Sequence, residues 1–107
     1  MISIEVEREK SGAVRHLSVA GHAGQAPYGK DIVCAAASAL SETLVMGLTR
    51  VIQSKIAYRL DDGVLDLAVT EDLSEPAQAV MDTICLGFKD LADTEPDFVR
   101  YREFAKP

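Results

Sequence analysis

Cysteine and histidine are scarce in this chain, two of each in 107 residues, and the cysteines, Cys34 and Cys85, share no CxxC or Cys/His zinc spacing. A disulfide framework is not expected, nor is a metal site or any cofactor. Positive charge is short as well: 11 Lys and Arg against 17 Asp and Glu leave a formal net charge of -6. A nucleic-acid surface would need clustered cations that the chain lacks, so direct nucleic-acid binding is not expected, and a basic polypeptide is the easier charged partner. No uninterrupted apolar run approaches the ~18 residues of a membrane span. The opening Met1-Ile2-Ser3-Ile4-Glu5-Val6-Glu7 alternates and carries charge, unlike a signal peptide or an anchor. These absences point to a reduced cytoplasmic setting, where a free thiol stays usable. No repeat, linker or low-complexity tract divides the chain, and 48% hydrophobic content suffices for one domain over residues 1–107 with its own core.

What is present is a regular succession of patterns. Ile2, Ile4 and Val6 alternate with Ser3, Glu5 and Glu7, as a half-buried strand requires. Glu9-Lys10-Ser11-Gly12 turns the chain, and residues 13–20 resume alternation up to Ala20-Gly21, which predicts a hairpin. Residues 32–53 carry Val33, Ala37, Leu40, Leu44, Leu48 and Val51 at spacings of three and four, the stripe of a helix lying on a sheet. Lys55–Leu60 and Val64–Thr70 flank Asp61-Asp62-Gly63, a second hairpin signal. Ser74 caps a second helix with Pro76 in its first turn and an apolar stripe through Ala77, Met81, Ile84, Phe88 and Leu91. Phe98–Phe104 supplies a last strand. The order ββαββαβ predicts a two-layer α+β domain, a five-stranded mainly antiparallel or mixed sheet covered by two helices.

Between the first hairpin and the first helix lies Gly21-His22-Ala23-Gly24-Gln25-Ala26-Pro27-Tyr28-Gly29-Lys30-Asp31-Ile32-Val33-Cys34, a glycine-rich loop separating one histidine from one cysteine. Asp31 reads as the N-cap of the helix, which puts Cys34 near position N3, in its first turn. There the exposed N–H groups and the helix dipole favour thiolate over thiol. Gly21, Gly24 and Gly29 let the chain fold back so that His22 reaches the sulfur, giving a nucleophile with a general acid/base. Uncommitted first-turn N–H groups, that of Cys34 included, are candidate oxyanion donors.

The run Gly-His-Ala, a spacer, then Tyr-Gly-Lys-Asp-Ile-Val-Cys-Ala-Ala-Ala-Ser, residues 21–23 and 28–38, resembles the signature of the ribosomal-processing cysteine proteases, the Prp family. The resemblance implies an endopeptidase that removes the N-terminal extension of a large-subunit ribosomal protein with a Cys/His dyad, and that forms a homodimer. Carried onto this chain, the nucleophile is Cys34 and the proton-transfer partner is His22. Gly21 and Gly29 match the signature, whereas Gly24 and Pro27 fall in its variable spacer, a candidate substrate-fitting loop with Tyr28 as its only aromatic.

Plainer readings stand beside these. Cys34 could be a small buried hydrophobe and His22 a loop residue. Two roles are open to Asp31, helix cap or orienter of His22, and two to Ser38, bonding the Cys34 carbonyl or tuning the sulfur. Cys85 falls on the apolar stripe of the second helix and reads as core, and His16 as a surface residue of the second strand. The competing functions are a non-enzymatic ribosome-associated binding or assembly factor, with an incidental thiol, and a redox or metal-binding module, which has no second nearby cysteine to support it.

Overall fold

Alternation in the first strands becomes the division between the two faces of the sheet. The structure, a computed structural model, describes residues 1–21 and 29–106, with residues 29–31 followed in the backbone only. Strands β1 (Ile2–Arg8) and β2 (Val14–Ala20) pair antiparallel across Ile4 and Val19, Val6 and Leu17. These four side chains and Ile2 are buried on one face, while Ser3, Glu5, His16 and Ser18 lie on the other. The predicted hairpins are both formed. Strands β3 (Ala57–Asp61) and β4 (Val64–Ala68) are joined through Asp62 and Gly63, whose φ of 74° supplies the left-handed residue a tight turn needs.

The five strands run in the order β3-β4-β2-β1-β5, with β5 (Val99–Ala105) parallel to β1 and the other pairs antiparallel, so the sheet is mixed. Helix α1 (Gly29–Met46) and helix α2 (Glu75–Thr94) pack on the apolar face, and Val33, Ala37, Leu44, Met81, Cys85 and Phe88 join the strand residues in one core. Ser74 caps α2 by accepting a hydrogen bond from the Ala77 N–H, 3.3 Å, with Pro76 in the first turn.

The first helix departs from its sequence pattern at both ends. It begins at Gly29, and after Met46 it widens into a π-helical turn, Gly47–Val51, in which the Ile52 N–H donates to the Gly47 carbonyl at 2.9 Å. The wider turn rotates the stripe by about one residue. Leu48 stays buried but Val51, expected on the same stripe, is 78% exposed. By length and hydropathy Ile32–Val51 would suffice to cross a bilayer. Here it carries Glu42 and Arg50, and its inward residues are part of the sheet's core.

Candidate active site

An α-helix brings residues four apart onto one flank, and on α1 that row reads Cys34, Ser38, Glu42, with Ala37 and Ser41 beside it. All five line a cavity of about 460 Å³. Its floor is the end of the central strands, where Ile2 of β1 and Val19 of β2 reach the sheet edge next to Gly21. Its far wall is the β3–β4 hairpin tip, Leu60 to Val64. Three remote stretches of sequence thus converge because β2 leads toward α1 on one side of the sheet end while the second hairpin closes the other.

Gly21 has φ 103°, and a Cβ there would collide with the Met1 carbonyl oxygen. Only glycine lets the chain leave β2 this close to the start of β1. Cys34 is a half-buried free thiol on the cavity wall. Ser38 is half-buried in the next turn. Among the hydrogen bonds of the described residues, Ser38 makes none to the Cys34 carbonyl; on α1 a bond of that type is made by Ser41, the one buried polar residue among those described, whose hydroxyl donates to the Ala37 carbonyl at 2.9 Å.

The helix start corrects two expectations. Because α1 begins at Gly29, Asp31 is its third residue rather than its N-cap, and Cys34 is its sixth, in the second turn rather than the first. Nothing in Gly29-Lys30 bars helical backbone, and an acid is as well placed inside a first turn, facing the positive end of the dipole, as at the cap. The dipole's field falls off within the first turn and is weak at Cys34. Helical geometry also commits the Cys34 N–H to the Lys30 carbonyl and the Ile32 N–H to the carbonyl before the helix, so the uncommitted helical donors are those of residues 29–31. His22, Gly24 and Tyr28 lie outside the described residues. Gly29 opens the helix.

Cys85 and His16 lie away from the cavity. Cys85 is buried on α2, and burial, reinforced by the Asp82 and Glu103 carboxylates and opposed by Arg8, pushes its thiol up to about 12. The His16 Nε2 meets Asp66 Oδ1 at 2.6 Å, a cross-strand pair on the uncovered sheet face. Among the described residues no group of three His, Cys, Asp or Glu side chains is arranged to hold a metal. Ser41, Glu42, Asp61 and Asp62 join the cavity lining beyond the residues expected there. Steps of four lead from Cys34 through Ser38 to Glu42 and from Ala37 to Ser41, whereas the hairpin tip needs the tertiary fold.

Residues 1–100 match the family model described as cysteine protease Prp. The ribosomal processing cysteine protease Prp of Staphylococcus aureus is 27% identical over 103 residues, covering 94% of this chain and 96% of that protein. The crystal structure of SMU.848 from Streptococcus mutans superposes with TM-score 0.87 at 30% identity, covering 99% of this chain and 96% of the other. The essential ribosomal processing protease Prp of S. aureus, solved with a covalently linked product peptide, shares the fold at TM-score 0.87 and 24% identity over 97% of this chain and 100% of its own.

Proposed function

Since the chain belongs to the cysteine protease Prp family, we propose that it is a cysteine endopeptidase that removes the N-terminal extension of a large-subunit ribosomal protein, with Cys34 as nucleophile and His22 as its proton-transfer partner. The observation that carries the reading is the half-buried free thiol of Cys34 on the wall of a cavity large enough for a peptide segment. Relatives named for ribosomal processing, one of them solved with peptide bound, support the substrate class.

In this reading the Cys34 thiolate, paired with protonated His22, adds to the scissile carbonyl carbon. The tetrahedral oxyanion takes hydrogen bonds from the free first-turn N–H groups of residues 29–31, each worth ~2.7–4 kcal/mol in the transition state where such donors have been removed. Collapse breaks the C–N bond, and His22 gives its proton to the leaving amine. Water, deprotonated by His22, then hydrolyses the thioester and returns the thiol. Asp31 in the first turn of α1 and Ser38 on the cavity wall serve as supporting residues. The enzyme works as one domain over residues 1–107, in the cytoplasm, as a homodimer.

Incubation with the precursor ribosomal protein followed by intact-mass analysis tests substrate, reaction and cleavage position together. Wild type should shorten the precursor at one N-terminal bond. Cys34→Ala and His22→Ala should each lose about 10³-fold or more, as when one member of a nucleophile and base unit is deleted. A Cys34→Ala protein cutting at the wild-type rate would overturn the reading, and sedimentation as a clean monomer would remove the homodimer.

A further inference from the structure

We propose that the cavity beside Cys34 selects a substrate with a cationic side chain near the scissile bond, held between Glu42 on α1 and Asp62 on the β3–β4 tip; this substrate class rests on the protease reading above. The charged residues lining the cavity are Glu42, Asp61 and Asp62, all carboxylates, and no described Lys or Arg lines it. Asp61 is engaged by Arg59 Nε at 3.2 Å. Glu42 and Asp62 have no ion pair among the described residues. They stand on two different elements, so the acidic character belongs to the cavity and not to one helix.

The remaining lining gives that charge a shape. Ile2, Val19, Ala37, Leu60 and Val64 form an apolar interior, while Glu42 and Asp62 are exposed at the lip. An apolar slot ending in carboxylates complements the aliphatic stem and charged head of lysine or arginine. An acidic substrate would set its carboxylates against the same lip with nothing to neutralise them. The net charge of -6 adds a longer-range field of the same sign.

Methanethiosulfonates of different charge, trimethylammonioethyl and sulfonatoethyl, test the charge selection without proteolysis. The Cys34 thiolate attacks the sulfenyl sulfur, a mixed disulfide forms, and methanesulfinate leaves. Rates are read by intact mass and divided by each reagent's rate with 2-mercaptoethanol. The cation should outpace the anion by about ten-fold in wild type at low salt, and the preference should shrink as ionic strength rises. Glu42→Gln and Asp62→Asn should each reduce it about two- to five-fold, with Glu42→Asp retaining most of it. Equal normalised rates in wild type, or a preference that neither variant alters, overturns the inference whether or not the protein is a protease. In parallel, peptides cut by wild type are resynthesised with norleucine for each lysine. A rise in KM at one position, absent in the Glu42→Gln/Asp62→Asn double variant, supports the assignment, and no rise at any position overturns it. Charge selection at Cys34 with no Cys34-dependent cleavage would support the acidic lip while overturning the protease reading.

Discussion

The two thiols are set apart by their surroundings more than by their chemistry. Cys34 borders an open cavity, and Cys85 is 1% exposed beneath α2. Iodoacetamide should therefore label Cys34 in the native protein and reach Cys85 only after unfolding. The Cys85 thiol is raised from 9.0 to about 12, chiefly by burial. Below pH ~9 both folded and unfolded chains keep this proton. Between 9 and 12 the unfolded chain binds fewer protons than the folded one, so stability falls as pH rises, by up to ~1.4 kcal/mol per pH unit for one group. Tyr101, raised by burial and then by its hydrogen bond to Glu103, adds to the decline above its own ordinary range. Urea titrations between pH 8 and 11 should show Cys85→Ala less stable than wild type at pH 8 by about 1 kcal/mol, for the small void it leaves, but declining less steeply. Equal slopes would contradict the assignment.

At the level of elements, the helices meet where a side chain is missing. A Cβ on Gly87 of α2 would stand 3.1 Å from Leu40 Cδ2 on α1. Half-buried Leu40 can yield to a methyl group, and alanine gains helix propensity, so Gly87→Ala should be close to neutral. Gly87→Leu has no such room and should cost about 1–3 kcal/mol in urea unfolding. Leu40→Ala in the same chain should recover part of that loss, which a purely local helix effect would not allow. Element boundaries were the least legible feature of the sequence. The strands and α2 followed alternation, Asp-Gly and Ser-Pro signals closely, because each depends on neighbouring residues. The π-helical turn at Gly47–Val51 did not, since no residue type there encodes an i+5 bond. The start of α1 at Gly29 was missed because Asp31 suits a first turn as well as a cap. For the candidate site, Cys34 and the Ser38 to Glu42 row could be read from spacing, whereas Asp61 and Asp62 became cavity residues only once strand order brought the second hairpin to the same end.

Across the whole molecule, the last strand fixes the first. The Ile2 N–H donates to the Phe98 carbonyl at 2.8 Å, and β5 then runs parallel beside β1 to its end. Ile2, which floors the cavity, is thus positioned by residues almost a full chain away. At the other end of β1 the half-buried Arg8 closes the pairing. Its guanidinium donates to Asp82 of α2 at 2.9 Å, to Glu103 of β5 at 3.0 Å and to the Gly12 carbonyl of the hairpin turn at 2.8 Å. Burial opposes its charge, but the two carboxylates outweigh it and hold it protonated. Both carboxylates are more than a third exposed, so screening discounts their attraction, and Arg8→Met should cost about 1–2 kcal/mol. Asp82→Asn and Glu103→Gln should each cost less, and 1 M salt should narrow the gap between wild type and Arg8→Met. Six residue rises along the strand, ~20 Å, separate Arg8 from Ile2. Arg8→Met should accordingly lower the unfolding midpoint while the relative rates of cationic and anionic thiosulfonates at Cys34 stay at their wild-type ratio. A changed ratio would mean that the clasp shapes the cavity through β1, beyond holding the sheet together.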